Sequence, residues 1–531
     1  MKTKNQSLTS LSFLSPLISD YLFNPEKVEP FFEVSPSKKE ILTSIKKKQP
    51  LSQRNREVLV NTLIKQYENL DTCELTKSQI NRLADHNTYT ITTGHQLNFA
   101  TGPLYVVYKI LSTINAAEEL SKEHKDIHVV PVFWMATEDH DFDEINHCNL
   151  LNNKVSWVTE KGNATGRLST AGISSVIESE IRPLLEKFPQ GEQIIALLKD
   201  AYDPNNSLGK ATFQLFHSLF DQFGLVILDP DHRDLKALFA PIVKKELLQR
   251  KSKNLVEAQN LVLQEKGYKV QAHAREINLF LLRNNKRDRI IFEGNAFHLA
   301  HSNEIFSEQE VLDLVDMTPE AFSPNVILRP VYQECILPNL AYIGGAGELA
   351  YWLQLKTVFE LYDINFPSLM LRNMGVIIQA NQLAKMNKLE VTISDLFKST
   401  HQLTSDWVRA NSSEEIDFDE EKKALQLTFD ALAEKANKID PTLNASIAGN
   451  AKSWMKDFNN LEKKLMKAAK NKSENSINQL TQVQEQLFPQ GFLQERYDNI
   501  FGYIAKYGFS LIGDLKSNIK PFESEFTSFE V

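Results

Sequence analysis

The spacing of apolar positions changes twice between Thr88 and Ala136. The stretch "TYTITT", which begins at Thr88, is β-branched and aromatic, as is typical of a buried strand, and Gly94 ends it. From Tyr105 to Leu120 apolar residues recur at helical spacing, and "HVVPVFWMA" then forms a continuous apolar run, typical of a strand covered on both faces. Strand, helix and strand in this order predict a parallel crossover unit.

Three further apolar runs extend the predicted sheet. The first lies in "FGLVILDPD", and the other two begin and end "NLAYIGGAGELAYWLQLKTVFELYDINFPSLML". We predict one open α/β sheet with strands near 88–93, 128–135, 224–229, 340–344 and 366–371. Residues 1–150, 211–249 and 326–375 are assigned to its core. Residues 151–210 and 250–325 are assigned to two insertions, and alternating polarity predicts a small sheet in the second.

Residues 376–488 predict a helical arm. From Asn411 to Leu487 there is one proline and one glycine. Apolar residues recur at intervals of four and three in two runs, Leu425, Phe429, Leu432, Ala436, Ile439 and Trp454, Phe458, Leu461, Leu465, Ala468. The pattern predicts an antiparallel helical hairpin, which either packs as a bundle or forms a dimerising arm. Residues 489–531 are expected to return to the core.

Composition narrows the class of protein. The 531 residues carry a formal charge of −9, which argues against broad nucleic-acid binding. The three cysteines form no CxxC pair, so a reducing cytoplasm fits better than a secreted disulfide framework. The apolar run "VVPVFWMA", from Val129 to Ala136, is too short to span a bilayer, and the N-terminal apolar residues are interrupted by Ser, Thr and Pro. We expect a cytoplasmic protein with no membrane or nucleic-acid partner.

Polar loops follow four of the predicted strands. They are "TGHQLNFATG", "TEDHDFDE", "DPDHRD" and "GGAGE". Because ligands of open parallel sheets bind outside the carboxyl ends of the strands, these loops predict one active site. Their spacing matches neither GxGxxG nor a P-loop, which argues against a dinucleotide oxidoreductase and a P-loop ATPase.

The catalytic candidates are His95, Asp139 and His140, because they lie nearest the strand ends and imidazole titrates near neutrality. A helical start near His140 would also bring it one turn from Glu144, which could hold a metal. A third interpretation makes these acids simple helix-start residues favoured by the helix dipole. We expect no tightly bound metal, since no cysteine pair is available and the His and Asp ligands are too close in sequence to converge.

Four stretches of the chain resemble a known family. They are "TTGHQLNFATGPLYVVYKI", "VPVFWMATEDHDFDEINH", "FSPNVILRPVYQECILPNLAYIGGAGELAYWLQLK" and "FPQGFLQERYDN". These closely resemble the bacillithiol biosynthesis cysteine-adding enzymes, BshC, in the family's order and over essentially the whole chain. The resemblance implies an α/β fold with a Rossmann-like core related to class I nucleotidyl transferases, two connecting-peptide insertions and a coiled-coil arm associated with dimers.

The resemblance also implies a reaction, in which L-cysteine is joined in amide linkage to the amine of glucosaminyl malate. A free carboxylate does not acylate an amine at neutral pH, so we expect ATP or another adenine nucleotide to activate cysteine. The sequence departs from class I synthetases, since only Gly94 and His95 remain of their His-x-Gly-His turn and no Lys-Met-Ser-Lys-Ser motif is present. Two alternatives stay open, a metal-dependent hydrolase of a glucosaminyl conjugate and a non-catalytic nucleotide-binding dimer.

The residues expected to bind substrate lie in the polar loops and the family stretches, and are Gly94, Gln96, Asn98, Gly102, Tyr105, Asp141, Arg329, Gln333, Gly344, Gly345, Glu348, Tyr351 and Trp352. The residues expected to bind nucleotide are Lys109, Arg372, Gln494, Arg496, Tyr497 and Asn499. In the C-terminal stretch "LQERYDN", Arg496 could bind a phosphate and Asn499 could bind an adenine edge, or both residues could serve only to dock this stretch on the core. We also predict that His95, Asn98, Asp139, His140, Gly345 and Tyr351 line one cavity.

Overall fold

The computed structural model describes residues 1–11, 13–159, 164–283, 286–412, 416 and 418–531. The chain forms two units. The first comprises Met1, Thr3–Val376 and Glu495–Phe529, and the second Lys2, Ile377–Gln494 and Glu530–Val531. The predicted boundaries of the two insertions stay predictions.

The strands in the described residues are β1 (Lys2–Ser7), β2 (Thr88–His95), β3 (His128–Met135), β4 (His147–Leu150), β5 (Asn153–Ser156), β6 (Val226–Leu228), β7 (Leu279–Arg283), β8 (Lys286–Glu293), β9 (Ala296–Leu299), β10 (Ile305–Phe306), β11 (Phe322–Pro324), β12 (Asn339–Gly344), β13 (Ser368–Leu371), β14 (Met374–Ile378) and β15 (Glu525–Glu530).

The five predicted core strands pair in one parallel sheet, in the order β13, β12, β2, β3, β6. This confirms the sheet expected from the apolar runs. Most positions of β2 and β3 are buried on both faces, which is why these strands are apolar or β-branched throughout. Gly94 pairs with Trp134 and Gly344 with Leu371, so the carboxyl ends of neighbouring strands meet at one edge.

The helices of the first unit before residue 376 are α1 (Pro16–Phe23), α2 (Lys38–Ser44), α3 (Gln53–Tyr67), α4 (Glu74–Arg82), α5 (Tyr105–Glu123), α6 (Phe142–Ile145), α7 (Ile173–Val176), α8 (Arg182–Leu185), α9 (Gly191–Ala201), α10 (Leu208–Phe220), α11 (Arg233–Gln249), α12 (Ser252–Glu265), α13 (Glu308–Met317), α14 (Arg329–Ile336), α15 (Ala346–Trp352) and α16 (Lys356–Tyr362). The predicted crossover helix is α5, which links β2 to β3 and is buried along most of its length.

A second sheet of the first unit lies between residues 279 and 324. Its strands run in the order β10, β9, β8, β7, β11, and each neighbouring pair is antiparallel. The alternating polarity of this segment predicted such a sheet, and the structure confirms it. Strands β4 and β5 form a separate antiparallel pair.

The second unit is helical. Its helices are α17 (Ala380–Lys388), α18 (Ile393–Leu396), α19 (Thr400–Asn411), α20 (Asp419–Ile439), α21 (Leu443–Lys472) and α22 (Glu474–Leu487). A three-residue turn joins α20 to α21, and the Nζ atom of Lys422 lies 2.6 Å from Oε2 of Glu462 near the other end of the pair, which makes the hairpin antiparallel. Leu461 and Leu465 thus lie in a different unit from Val130, as the separate-arm prediction required.

The remaining helices among the described residues are α23 (Gln494–Tyr497), which begins at the last residue of this segment of the second unit, α24 (Phe501–Tyr507) and α25 (Ser510–Asn518). From Glu495 to Phe529 the chain belongs to the first unit. In the described part of the chain, none of the helices combines the length and apolar character needed to cross a membrane.

Candidate active site

A cavity of about 590 Å³ lies at the carboxyl edge of the parallel sheet, within the first unit. Loops after β2, β3, β6 and β12 contribute to its wall, and so do β7 and β8 of the antiparallel sheet through Phe280 and Arg287. The sequence-predicted residues in the wall are Gly94, His95, Gln96, Tyr105, Asp139, His140, Arg329, Gly345, Glu348, Tyr351, Arg372 and Arg496. Of the six residues predicted to share one cavity, the structure brings five together.

Asn98 is the sixth, and it is a correction. It is buried beside the cavity, where its Nδ2 atom donates to the carbonyl of Glu144. Gly102, also expected at the site, has a φ of +69°, and a Cβ atom there would lie 2.5 Å from Cβ of Asn98. Both residues therefore shape the loop after β2 and lie outside the cavity wall.

Four other expected substrate residues also lie outside the wall. Trp352 is fully buried, with its ring 4.4 Å from that of Tyr342. Gln333 is fully buried and accepts a hydrogen bond from Arg329. Gly344 is packed at the end of β12, and Asp141 is exposed to solvent. Periodicity cannot distinguish a side chain that packs behind a wall from one that forms it.

Four expected nucleotide residues also differ from prediction. Nδ2 of Asn499 donates to the carbonyls of Ala100 and Gly102, and Gln494 exchanges hydrogen bonds with the backbone of Ile377. Asn499 therefore has no free amide edge with which to bind adenine. Tyr497 is outside the wall, and Lys109 is buried behind it.

Lys109 is buried and forms an ion pair with the partly exposed Glu348. Its Nζ atom donates to Oε1 at 3.0 Å, to Oε2 at 2.9 Å and to the carbonyl of Gly94 at 2.5 Å. Tyr342 and the backbone N–H of Gly345 also donate to Glu348. Burial alone would raise the pKa of Glu348, but the Lys109 charge and these hydrogen bonds outweigh it and lower the pKa to about 2. Glu348 therefore stays ionised and anchors the Gly-rich turn.

His95 lies at the end of β2 with its ring 5.3 Å from that of Tyr105. Burial, reinforced by the nearby Lys109 charge, lowers the pKa of His95 to about 3. The imidazole is thus neutral at physiological pH. A side chain with so low a pKa is a weak base for an amine.

Asp139 and His140 have different hydrogen-bond partners. Oδ2 of Asp139 accepts from Gln96 at 2.7 Å, and Oδ1 accepts from the backbone N–H of His140. Burial would raise the pKa of Asp139, but the His140 side chain, whose Nδ1 atom is 3.6 Å from Oδ1, outweighs it together with these hydrogen bonds and the Arg287 charge, and the net shift is downward. Nη1 of Arg287 donates to Nδ1 of His140 at 2.8 Å. Because arginine has no acceptor, Nδ1 of His140 must be the accepting nitrogen in this arrangement.

Sequence reasoning missed Glu138 and Arg287. Glu138 directly precedes Asp139, lies in the cavity wall and is only 8% exposed. Its Oε1 atom is paired with the Nζ atom of Lys236, which is itself buried on α11. The acidic run signalled that a carboxylate was present, whereas the partner lysine is distant in sequence. Arg287 gave no signal, because it belongs to a strand of the other sheet.

Three arginines place positive charge in the wall beside Tyr105 and Tyr351. Arg372 is paired with Glu495, its Nη2 atom 2.5 Å from Oε1, and its guanidinium lies 4.9 Å from the centre of the Tyr105 ring. Arg496 is exposed on the same side of the wall. The Nη2 atom of Arg329 is shielded from solvent and has no hydrogen-bond partner among the described residues. Burial would lower the pKa of Arg329, but the neighbouring Tyr351 and Tyr342 help to raise it.

The described residues contain no group of three or more His, Cys, Asp or Glu side chains arranged to hold a metal ion. The described cysteines, Cys73, Cys148 and Cys335, are free thiols, and burial raises the pKa of Cys148 and of Cys335 to about 12. This suits the interpretation of the buried cysteines as apolar core residues.

Two family models match the chain. The model described as "Bacillithiol biosynthesis BshC, N-terminal Rossmann-like domain" matches residues 1–373. The model described as "Bacillithiol biosynthesis BshC, C-terminal coiled-coil domain" matches residues 375–531. The junction between them lies within three residues of Val376, where the chain passes from the first unit to the second.

Relatives named "Putative cysteine ligase BshC" match nearly end to end. The protein of Flavobacterium psychrophilum is 40% identical over 99% of both chains, and that of Flavobacterium johnsoniae is 39% identical over 99% of both chains. The protein of Bacillus anthracis is 29% identical over 95% of this chain and 96% of its own. A solved chain titled "putative arginyl t-RNA synthetase" from Campylobacter jejuni superposes with a TM-score of only 0.22 at 10% identity, covering 83% of this chain and 97% of its own, which is too weak to show a shared fold. The relation to class I nucleotidyl transferases therefore stays a prediction.

Proposed function

The chain belongs to the bacillithiol biosynthesis BshC family, and we propose that it is a cysteine ligase that joins the carboxyl group of L-cysteine to the amine of glucosaminyl malate. The reaction forms a carbon–nitrogen bond. We place it in the cytoplasm, because the described cysteines are free thiols, as expected in a reducing compartment.

The observation that carries this proposal is the mixture of charges around one cavity. Arg287, Arg329 and Arg496 place positive charge in its wall, while Glu138 and Asp139 place negative charge there. Both substrates carry carboxyl and amino groups, so each needs partners of both signs. We assign the Arg329 guanidinium, which lies in the cavity wall, to a carboxylate of the malyl group.

Forming an amide from a free carboxylate requires activation, and ATP would supply it by converting the cysteine carboxylate into an acyl group with a good leaving group. Arg372 and Arg496 fit a phosphate chain, because both guanidinium groups lie in the wall beside Tyr105. Glu495 holds Arg372 in place. No observation on the described residues favours the metal-dependent hydrolase or the non-catalytic alternative.

Incubating the purified protein with cysteine, glucosaminyl malate and ATP tests this function. We expect bacillithiol by mass spectrometry, with one AMP or ADP released per amide formed. Reactions that lack each component in turn are the controls. Absence of bacillithiol together with unchanged ATP would contradict the proposal, and amide formation without ATP would contradict the activation step.

We propose that the helical arm mediates a homodimer. Only part of the predicted apolar seam lies in the α20–α21 interface. In α20, Leu425, Phe429 and Ala436 are at least partly buried there. Other apolar side chains of the hairpin remain exposed, namely Leu427, Leu432, Ile439, Leu443, Trp454, Leu461 and Leu465. An exposed apolar stripe of this kind is typical of a surface that a second helix pair covers.

Light scattering after size exclusion tests the dimer. We expect the unmodified chain to have twice the monomer mass, and Trp454→Glu with Leu461→Glu to have the monomer mass, because each change places a charge in the apolar stripe. Asn459→Glu, at an exposed polar position on the same helix, is the matched control and should stay dimeric. A monomeric unmodified chain, or a double variant that stays dimeric, would contradict the proposal.

A further inference from the structure

Glu138 combines burial, a charged partner and an unused carboxylate oxygen. It lies in the cavity wall immediately after Thr137, and Lys236 from α11 donates to its Oε1 atom. Lys236 is in turn held by the carbonyl of Phe322, to which it donates at 2.7 Å. Within the described part of the chain, Oε2 of Glu138 accepts no hydrogen bond. One oxygen is therefore anchored, and the other can accept from a ligand.

The other cavity carboxylates already have donors. Both oxygens of Asp139 accept hydrogen bonds, from Gln96 and from the backbone of His140. Glu348 accepts from Lys109, Tyr342 and the backbone of Gly345. Each of these groups would have to give up a bond before it could take a proton.

The two histidines are also poorly placed to act as bases. Nδ1 of His140 lies 2.8 Å from Nη1 of Arg287 and 3.6 Å from Oδ1 of Asp139, so this nitrogen already faces two charged neighbours. His95 has a pKa of about 3 because it is buried, so it gains a proton only weakly.

We propose that Glu138 is the general base of the ligase reaction and that Lys236 is its positioning residue; this rests on the proposed function. The sugar amine attacks the activated acyl carbon of cysteine, and a carbon–nitrogen bond forms. The bond from that carbon to the nucleotide-derived leaving group breaks, and the leaving group departs with the electron pair. Oε2 of Glu138 takes the proton that the amine loses and later returns it to solvent.

The surroundings of Glu138 suit this role. Burial raises the pKa of Glu138, and the Lys236 ammonium opposes that rise without cancelling it. A carboxylate with a raised pKa is a stronger base at neutral pH. The other titratable or charged groups that face Glu138 are Asp231, which raises its pKa further, Arg287, which lowers it, and Asp229, Arg167 and Tyr332.

Glu138→Gln tests the assignment, with Glu123→Gln at the exposed end of α5 as the matched control. We expect the rate of amide formation to fall 10²- to 10⁴-fold, the range typical of a lost general base. Hydroxylamine is a free base at neutral pH and attacks activated acyl groups without catalytic help. Formation of cysteine hydroxamate from ATP, cysteine and hydroxylamine should therefore stay within threefold of the unmodified enzyme.

This pair of assays separates the possible failures. Amide formation within tenfold of normal in Glu138→Gln would overturn the base assignment. Equal loss of hydroxamate and amide would also overturn it, because Glu138 would then serve activation or folding. An unmodified enzyme that forms neither product would overturn the proposed function, and this inference with it.

Lys236→Met tests the positioning role by a readout that a structural role would not move. Removing the ammonium should raise the pKa of Glu138 further, so the acidic limb of the kcat profile should move to higher pH. Lys236→Arg, which keeps the charge, should leave the limb near its original position and covers the case in which the Met variant does not fold. An unshifted limb in Lys236→Met, or a limb that moves as far in Lys236→Arg, would refute the role of Lys236.

Discussion

Lys109→Met tests the ion pair that joins α5 to the Gly-rich turn after β12, in which Lys109 is buried and Glu348 is partly exposed. Methionine has nearly the length of lysine but no charge, so the variant leaves the partly exposed Glu348 with only Tyr342 and a backbone N–H as donors. Breaking a fully buried pair by removing one partner typically costs about 3–5 kcal/mol, and the exposure of Glu348 places this pair at the lower end, about 3 kcal/mol. We expect the free energy of unfolding of the first unit to fall by about that amount at pH 7.5.

The pKa of Glu348 gives an independent magnitude. The fold lowers it from 4.5 to about 2, and about 2.5 units at 1.36 kcal/mol each correspond to roughly 3 kcal/mol. Because the folded pKa is the lower one, this stabilisation is complete above the unfolded pKa and is lost as pH falls from about 4.5 towards 2. The deficit of Lys109→Met should therefore shrink at low pH, where Glu348 is protonated.

Urea unfolding followed by tryptophan fluorescence measures the effect. Trp407 and Trp454 of the second unit are replaced by Phe in every variant, so that the signal comes from the first unit. The double variant Lys109→Met with Glu348→Gln removes both charges and should recover much of the loss. A single variant within 1 kcal/mol of the parent at pH 7.5, or a double variant less stable than the single one, would refute the reasoning.

Three further outcomes are expected. Gly102→Ala places a Cβ atom against Asn98 on a backbone with positive φ, and it should destabilise the first unit by about 1–3 kcal/mol in urea unfolding. An unchanged urea midpoint would contradict this prediction. Arg329→Lys should raise the KM for glucosaminyl malate at least tenfold and change the KM for ATP less than twofold, whereas equal shifts in both would remove Arg329 from the malyl site. Burial raises the pKa of Glu334 from 4.5 to about 7, so between these pH values the folded chain keeps this proton while the unfolded chain loses it. The free energy of unfolding should therefore fall by about 3 kcal/mol as pH rises from 4.5 to 7, and Glu334→Gln should remove this dependence. Parallel curves of stability against pH for the two proteins would contradict this prediction.

Much of the fold was predictable because its signals are local. A buried parallel strand favours β-branched, aromatic or apolar side chains at nearly every position, and the β-branched run at 88–93 and the apolar run at 129–135 have this property. Gly94 and Gly344 lie at the carboxyl ends of β2 and β12 and so mark the edge. The same logic placed five of six predicted side chains in one cavity.

The helical arm shows the limit of such signals. Its heptad spacing predicted two long helices, and α20 and α21 confirm them. Spacing did not reveal which apolar residues face the partner helix, because a stripe is wider than a single seam. Phe458 is partly buried in the hairpin, whereas Trp454, Leu461 and Leu465 on the same predicted seam are exposed.

The chain alone indicated the five core strands, the crossover helix, the helical hairpin and which loops share an edge, since these depend on residues within a few positions of one another. Only the folded chain decided the chemistry of the cavity, because its partners are distant in sequence. Glu138 meets Lys236 and His140 meets Arg287 only after two sheets are assembled. A carboxylate or imidazole acquires its protonation state from such neighbours and from burial, and neither is encoded at the residue's own position.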